Sequence, residues 1–252
     1  MTTDTRSRIE PSPAIVDAVR QWLAPVRTSL GDEFLACYLT GSALHTGFDP
    51  KRSGVNLLLI ARSLDLTLLD RVHDAMPRDS KATPRIESLF MSELQMRRSL
   101  DAFSIEWVEI AEAHLLIEGQ DVIRGIEVPI LNLRLQCEHE LRVKLMRLRH
   151  SYLADRGRPK ALAATLSGVA SSFATLFRTL IRLREETPPA QTPEVVQRVA
   201  DLYQLDARGL IGAYQLRFSD REYADAELLE VYRRFLVEID RLVNAIDTLQ
   251  VG

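Results

Sequence analysis

The sequence predicts an α/β protein in which a small mixed sheet with flanking helices precedes an all-α helical bundle. Two observations lead to this prediction. Short apolar runs bounded by Gly, Ser and Pro fill about the first 120 residues, whereas helical periodicity alone fills the chain after about residue 130. The expected boundary between the two regions is the stretch 121–130, with Pro129. The predicted domains are therefore a sheet domain, residues 1–127, and a helical bundle domain, residues 128–252.

The composition is that of a globular protein with its own hydrophobic cores. Hydrophobic residues make up 46% of the 252 residues, and 32 Lys and Arg against 35 Asp and Glu give a net charge of −3. General nucleic-acid binders usually carry a basic excess, so we expect no such binding. The N-terminus has no apolar signal core and no apolar run reaches membrane-spanning length, so we expect a cytoplasmic protein without membrane contact. Cys37 and Cys137 lack metal-ligand spacing and are expected to be reduced and structural.

The first predicted element is an amphipathic helix over residues 13–29. Ser12 stands at the N-cap position, and Pro13 stands at the first helical position, where a missing N–H costs no hydrogen bond. Gly31 ends the helix. Its apolar residues recur at helical spacing and are Ile15, Val16, Val19, Trp22, Leu23 and Val26.

Three short apolar runs then predict neighbouring strands of one sheet, at Phe34–Thr40, Val55–Ala61 and Arg85–Met91. The first two are apolar on both faces, which is typical of strands covered by helices on both sides. A short helix over Ser42–His45 follows the first strand, and a helix over Leu64–Met76 connects the second strand to the third.

The remainder of the first domain is less regular. Ser92 is expected to cap a helix over 93–100. Ile105, Trp107 and Glu109 alternate with Glu106 and Val108, which favours a strand or extended chain over 105–108. A further strand is predicted at His114–Ile117, before Gly119. His114 has no partner at metal-ligand spacing, so we do not expect a metal there.

The second domain reads as four or five helices with short connections. The expected helices are Leu131–Leu153, Ala161–Glu186, one capped by Thr192-Pro193-Glu194, 206–217 and Asp220–Leu249. On the first of them, opposite charges lie four residues apart at Arg134–Glu138, Glu138–Arg142 and Glu140–Lys144. The basic residues Arg142 and Arg149 fit a solvated helix face; alternatively, they contact an anionic ligand across a cleft between the domains.

The most specific feature is the stretch Leu35–Ala61, in which a strand, a Gly41-Ser42 turn, a short crossover and a second strand follow one another. Side chains 54 and 56 point to one face of the second strand, because successive residues alternate. This pattern resembles the signature of the DNA polymerase β-like nucleotidyltransferase superfamily, with the two-domain arrangement of its aminoglycoside nucleotidyltransferase-like branch. The resemblance is specific for about the first 120 residues.

The resemblance implies a nucleotide-binding set of Gly41, Ser42, Ser53 and Asn56, with a phosphate at the N–H groups of the Gly-Ser turn. The family's metal-binding Asp-x-Asp motif falls on Gly54-Val55-Asn56, so both carboxylates are missing. Two metal ions need ligands that converge from one side. The resemblance further implies a third carboxylate, at Glu87, as metal ligand or as acceptor of the substrate hydroxyl's proton.

Three functional hypotheses follow. The first is a catalytically degenerate nucleotidyltransferase-like protein, a pseudoenzyme without a bound metal, that binds a nucleotide, another small anionic ligand or a protein partner in the interdomain cleft. The second is an active nucleotidyltransferase for a small hydroxylated molecule or a protein, with Glu87 as general base, Asp49 or Glu106 as a metal ligand, and Mg²⁺ as cofactor. The third is a non-enzymatic interaction module that uses the bundle surface, as a homodimer or with another protein.

Overall fold

The computed structural model describes residues 10–44, 48, 54–77, 85–218 and 221–251. The chain forms two compact units, residues 1–128 and 129–252. Within the described ranges, every strand lies in the first unit and the second is helical. The predicted fold class, a small mixed sheet with helices followed by helices alone, is thereby confirmed. That the two units are independently folding domains stays a prediction.

The elements of the first unit follow the predicted order except at Ser104–Glu112. They are α1 (Pro13–Leu30), β1 (Phe34–Thr40), β2 (Val55–Ala61), α2 (Leu66–Ala75), β3 (Ile86–Ser92), α3 (Glu93–Arg98), α4 (Ser104–Glu112) and β4 (His114–Gly119), with 3-10 turns at Gly31–Glu33 and Gly41–Leu44. The Ser92 hydroxyl accepts the Gln95 N–H at 3.2 Å, and the Gln95 side chain accepts the Ser92 N–H at 2.8 Å. This reciprocal cap fixes the beginning of α3 as the sequence predicted.

The sheet has the strand order β3-β2-β1-β4. Strand β1 is antiparallel to both β2 and β4, whereas β2 and β3 are parallel, so the sheet is mixed. The three apolar runs expected to be neighbours are neighbours. Strand β4 occupies the second edge, beside β1.

Both faces of the sheet are covered, because the central strands are apolar on both sides. Val55, Leu57 and Leu59 pack with α1 and α2 in one core. Leu58 and Ile60 belong to a second core on the other face, together with residues of α3, α4 and the segment after β4. This arrangement agrees with the alternation of side chains along a strand.

The prediction of a strand or extended chain over 105–108 was wrong, since these residues lie in α4. The Trp107 N–H donates to the Phe103 carbonyl at 2.9 Å, and the Trp107 indole N–H donates to the Ser99 hydroxyl at 2.9 Å. Ser104, Ile105 and Trp107 are buried, and the four residues after Trp107 are half-buried. Most sides of α4 are at least partly buried, so its apolar residues are not confined to one face. A window of four residues therefore shows no clear helical period of apolar residues.

The second unit contains five helices among its described residues. They are α5 (Ile130–Asp155), α6 (Pro159–Arg182), α7 (Thr192–Tyr203), α8 (Ala207–Phe218) and α9 (Asp225–Asp247). Helix α6 ends before the predicted Glu186, and Glu185 has a positive φ of 59°. Thr192 is the first residue of α7 and does not cap it through its side chain. The predicted start of the last helix, Asp220, lies outside the described residues.

On helix α5, Leu131 and Leu135 are 52% and 48% exposed, whereas Leu133 and Cys137 are buried. Helix α6 is long and apolar enough to span a membrane by length and composition, although no run of that length was expected. It packs against α5, α7, α8 and α9, and core helices of soluble proteins share the same properties.

Candidate functional site

Four polar side chains form a row across the sheet, here called the polar row. Asn56 on β2 is paired with Glu87 on β3 and with Thr40 on β1, and Thr40 is paired with His114 on β4. Residues paired across neighbouring strands point to the same face. At the usual spacing of neighbouring strands the row is about 15 Å long.

The polar row lies where strand ends meet. Asn56 and Glu87 are the second residues of the parallel strands β2 and β3, whereas Thr40 ends β1 and His114 begins β4. The next row on this face is Leu89, Leu58, Tyr38 and Leu116. The polar row therefore marks the edge of the apolar core on this face, and it adjoins the Gly41-Ser42 turn.

Gly41 directly follows Thr40 and brings the turn against Asn56. Its φ is +72°, and a Cβ atom at this position would lie 2.8 Å from Asn56 Nδ2. The backbone conformation therefore favours glycine, and any larger residue would also displace the Asn56 amide. The predicted helix Ser42–His45 is a 3-10 turn over Gly41–Leu44, and His45 lies outside the described residues.

Gly54 lies beneath the side chain of Glu87. A Cβ atom at position 54 would lie 3.1 Å from Glu87 Cδ and Oε1 and 3.2 Å from the Arg85 carbonyl oxygen. The Glu87 carboxylate pairs with the Arg85 guanidinium, and the two side chains are 50% and 75% exposed. A carboxylate thus occupies the space above Gly54, but it belongs to the neighbouring strand and is already paired with a cation.

The structure therefore brings Gly41, Gly54, Asn56 and Glu87 together on one face, with Ser42 exposed in the adjoining turn. The residues Ser53 and Asp49 lie outside the described part of the chain. Among the described residues, no group of three His, Cys, Asp or Glu is placed to hold a metal ion. The residues present here do not fit a pair of Mg²⁺ ions, which require several carboxylate oxygens.

The basic residues considered as ligand contacts in the second unit are paired within that unit. Arg142 donates to Glu138 at 2.8 Å and lies 3.1 Å from Asp247. Arg149 lies 2.6 Å from Asp240. The hydrogen bond to Glu138 also raises the pKa of Arg142. These pairs favour the interpretation of a solvated helix face.

Sequence reasoning missed Thr40 as a site residue and set His114 aside. Only the register of β1 with β2 and β4 places these two residues beside Asn56 and Glu87. That register depends on pairings between segments that are far apart in the sequence, so no local pattern predicts it. Cys37 precedes this part of β1, and burial raises the pKa of its thiol to about 12. The thiol is therefore protonated at neutral pH and is not a nucleophile.

No family model matches the sequence, and no curated protein matches it. Among solved structures, the chain is similar to a nucleotidyltransferase-like protein from Exiguobacterium sibiricum 255-15, at 14% identity and a TM-score of 0.38. The similarity covers 91% of this chain and 74% of that protein. Identity and score at this level carry no information about a shared activity or site.

Proposed function

We propose that this chain is a nucleotidyltransferase-like protein without two-metal transfer chemistry. Its ligand is a nucleotide or another small phosphorylated molecule. This ligand binds at the Gly41-Ser42 turn and at Asn56, the residue of the polar row that contacts the turn. The observation that carries the proposal is the position of the Glu87 side chain over Gly54. The space above residue 54 holds a carboxylate, and Arg85 already neutralises that carboxylate.

The absence of metal chemistry follows from the charges at these positions. Hard cations such as Mg²⁺ bind carboxylate oxygens, and position 54 offers no side chain while Asn56 offers a neutral amide. Glu87 is the remaining carboxylate of the set, and binding a metal would require it to leave Arg85. In transfer enzymes the metal ions neutralise the charge that develops on the phosphates, so their loss removes much of the catalysis.

The same replacements favour direct binding of an anion. An aspartate at position 56 would only accept hydrogen bonds, whereas the Asn56 amide nitrogen donates them. That nitrogen lies against the Gly41 turn, and the exposed Arg85 guanidinium pairs with Glu87, whose carboxylate lies above Gly54. A phosphate that contacts these donors needs no metal ion to bridge it to the protein.

The test is calorimetric titration of ATP with and without Mg²⁺. The wild type is expected to bind with the same affinity, within about two-fold, in both conditions. Asn56→Asp places a negative charge at the turn and is expected to weaken Mg²⁺-free binding by at least about ten-fold, or about 1.4 kcal/mol. Arg149→Ala, which removes a surface cation of the second unit, is the matched control and is expected to bind like the wild type.

A second arm restores the missing motif. Because an aspartate at position 54 would meet the like-charged carboxylate of Glu87, the variant combines Gly54→Asp and Asn56→Asp with Glu87→Gln. Its binding of ATP is expected to depend on Mg²⁺. Strong Mg²⁺ dependence or nucleotide turnover in the wild type would contradict the proposal and support an active enzyme with Glu87 as base. Failure of the wild type to bind any phosphorylated ligand would support the interaction module instead.

A further inference from the structure

A cleft of about 320 Å³ opens in the first unit, between the end of α4 and the segment that follows β4. Its polar lining residues are His114, Asp121 and Arg124. The remaining lining residues are Ala111, Ile123, Gly125 and Ile126. The volume lies in the range typical of small-molecule sites, which combine an apolar wall with a few convergent polar groups.

The His114 ring presents a hydrogen-bond acceptor beside Asp121. Its Nδ1 lies 2.7 Å from the Ile110 carbonyl oxygen, which can only accept, so Nδ1 carries the proton. In the neutral ring Nε2 then has a lone pair. This atom lies 3.9 Å from Asp121 Oδ1, too far for a direct hydrogen bond.

The Asp121 carboxylate is held in position by buried groups. Its Oδ1 lies 3.2 Å from the hydroxyl of Tyr38, a fully buried side chain, and accepts the Arg124 backbone N–H at 3.2 Å. The Tyr38 ring also contacts the His114 ring edge-to-face, with 5.4 Å between the ring centroids. Burial raises the pKa of Tyr38 to about 12, so its hydroxyl is a permanent donor at neutral pH.

Two acceptors, one of them an anion, therefore lie side by side at the edge of a partly apolar cleft. A single nitrogen with several N–H groups can lie within about 2.9 Å of both acceptors when they are this far apart. Arg124 brings the opposite charge to the same cleft.

We propose that this cleft binds a small zwitterion of amino-acid size. The ammonium group donates to His114 Nε2 and the Asp121 carboxylate, the ligand's carboxylate pairs with Arg124, and an apolar side chain contacts Ile123 and Ile126. A metal ion fits less well, because one His and one Asp are too few protein ligands and an ion would leave most of the cleft unfilled.

The experiment compares four probes by calorimetry on the full chain: L-leucine, 4-methylpentanoate, 3-methylbutylamine and glycine. The second lacks the ammonium group, the third lacks the carboxylate, and glycine lacks the apolar side chain. L-Leucine is expected to bind at least about ten-fold more tightly than each of the others.

Two variants test which residue binds the ammonium group of the ligand and which binds its carboxylate. Asp121→Asn keeps the size of the side chain but not its charge, and it should abolish the difference between L-leucine and 4-methylpentanoate. Arg124→Gln should abolish the difference between L-leucine and 3-methylbutylamine. Arg149→Gln in the second unit is the control and should retain all the differences. Circular dichroism spectra that match the wild type show that each variant is folded.

Three outcomes would overturn the proposal: no saturable binding of L-leucine, equal binding of all four probes, or tight binding of Zn²⁺ that His114→Gln abolishes. The test is independent of the nucleotide proposal, because Asn56→Asp leaves the cleft residues unchanged. That variant should bind L-leucine like the wild type even where it no longer binds ATP.

Discussion

Charged side chains of the helical unit pair along and between helices, whereas the sheet unit collects polar side chains in one row at its strand ends. The helical pairs include Arg134–Glu138, Arg142–Glu138, Lys144–Glu140, Arg149–Asp240, Arg198–Glu186 and Arg234–Glu230. Four of these pairs lie four residues apart on one helix, as on a solvated helix surface, and Arg149–Asp240 and Arg198–Glu186 join separate segments. The polar row is built from four separate strands and is not explained by helix solvation. We therefore expect the functional site in the sheet unit.

Two glutamates show the same difference. Glu238 in α9 is 5% exposed, accepts the Asp206 N–H at 3.0 Å and pairs with Arg241 at 2.9 Å. The bond from Asp206 joins α9 to the beginning of α8, so Glu238 has a structural role. The Glu87 side chain is half exposed, and its one described ion pair is with Arg85, two residues away on its own strand.

The largest expected effect is a loss of unfolding free energy in one unit alone. It is measured with one core substitution in each unit. Leu39→Ala removes a fully buried side chain from the sheet unit, and Phe173→Ala removes one from the bundle. Each is expected to cost about 3 kcal/mol or more of unfolding free energy. Both tryptophans, Trp22 and Trp107, lie in the first unit, so tryptophan fluorescence reports that unit alone.

In urea, Leu39→Ala should lower the fluorescence midpoint and leave the larger part of the far-ultraviolet circular dichroism change at its wild-type midpoint, because the bundle holds most of the helical residues. Phe173→Ala should lower the midpoint of that larger part and leave the fluorescence midpoint unchanged. A common shift of both signals in either variant would show that the chain unfolds as one cooperative unit.

The second effect is a loss of stability of the sheet unit at alkaline pH. Burial raises the pKa of Cys37 from 9.0, and that of Tyr38 from 10.0, to about 12 each. Below pH 9 both groups hold their protons in the folded and unfolded states. As the pH rises from 9 towards 12, the unfolded state releases protons that the folded state keeps, so the free energy of unfolding falls.

By pH 11 the thiol of Cys37 alone is expected to cost about 3 kcal/mol. The measurement is the urea midpoint of tryptophan fluorescence between pH 7 and pH 11. Cys37→Ala should move the onset of the loss from about pH 9 to about pH 10, where the unfolded tyrosine begins to titrate. An unchanged onset in that variant would assign the loss to another group.

The smallest effect distinguishes a buried carboxylate from an exposed one on the same helix. Glu238→Ala leaves the Asp206 N–H and Arg241 without their acceptor and should cost about 2 kcal/mol. Glu230→Ala removes an ion pair with Arg234 whose side chains are about half exposed, and it should cost no more than about 0.5 kcal/mol. Both are read from the circular dichroism midpoint in urea. Equal losses would contradict the structural role of Glu238.

Local chemistry explains why much of the fold could be predicted. The bounds of β1 and β2 agree with the apolar runs, because Gly31 and Gly41 flank β1, and Gly54 precedes β2 while the polar Arg62-Ser63 follows it. The cap at Ser92 was predictable from a serine followed three residues later by glutamine. Residues 105–108 were not, since four residues are too few to separate a period of two from one of 3.6.

The candidate site was predictable only in part. Alternation along β2 places Gly54 and Asn56 on one face, and the sequence alone allows that inference. The contact of Glu87 with Gly54, by contrast, depends on the parallel register of β2 and β3. The approach of His114 to Asp121 depends on the chain turning back after β4, and no local pattern encodes the distance between these side chains.

The Tyr38 hydroxyl, at the centre of the first unit, holds the chain that follows β4. Its oxygen accepts the N–H groups of Val122 at 2.6 Å and Ile123 at 3.2 Å. Strand β4 is an edge strand, so this segment can detach from β1 without breaking the pairs of β1 with β2. We expect the amide hydrogens of Val122 and Ile123 to exchange with solvent deuterium by such a local opening, at a free energy below that of global unfolding. A ligand in the adjoining cleft would bind only the closed state and would slow that exchange in proportion to its occupancy.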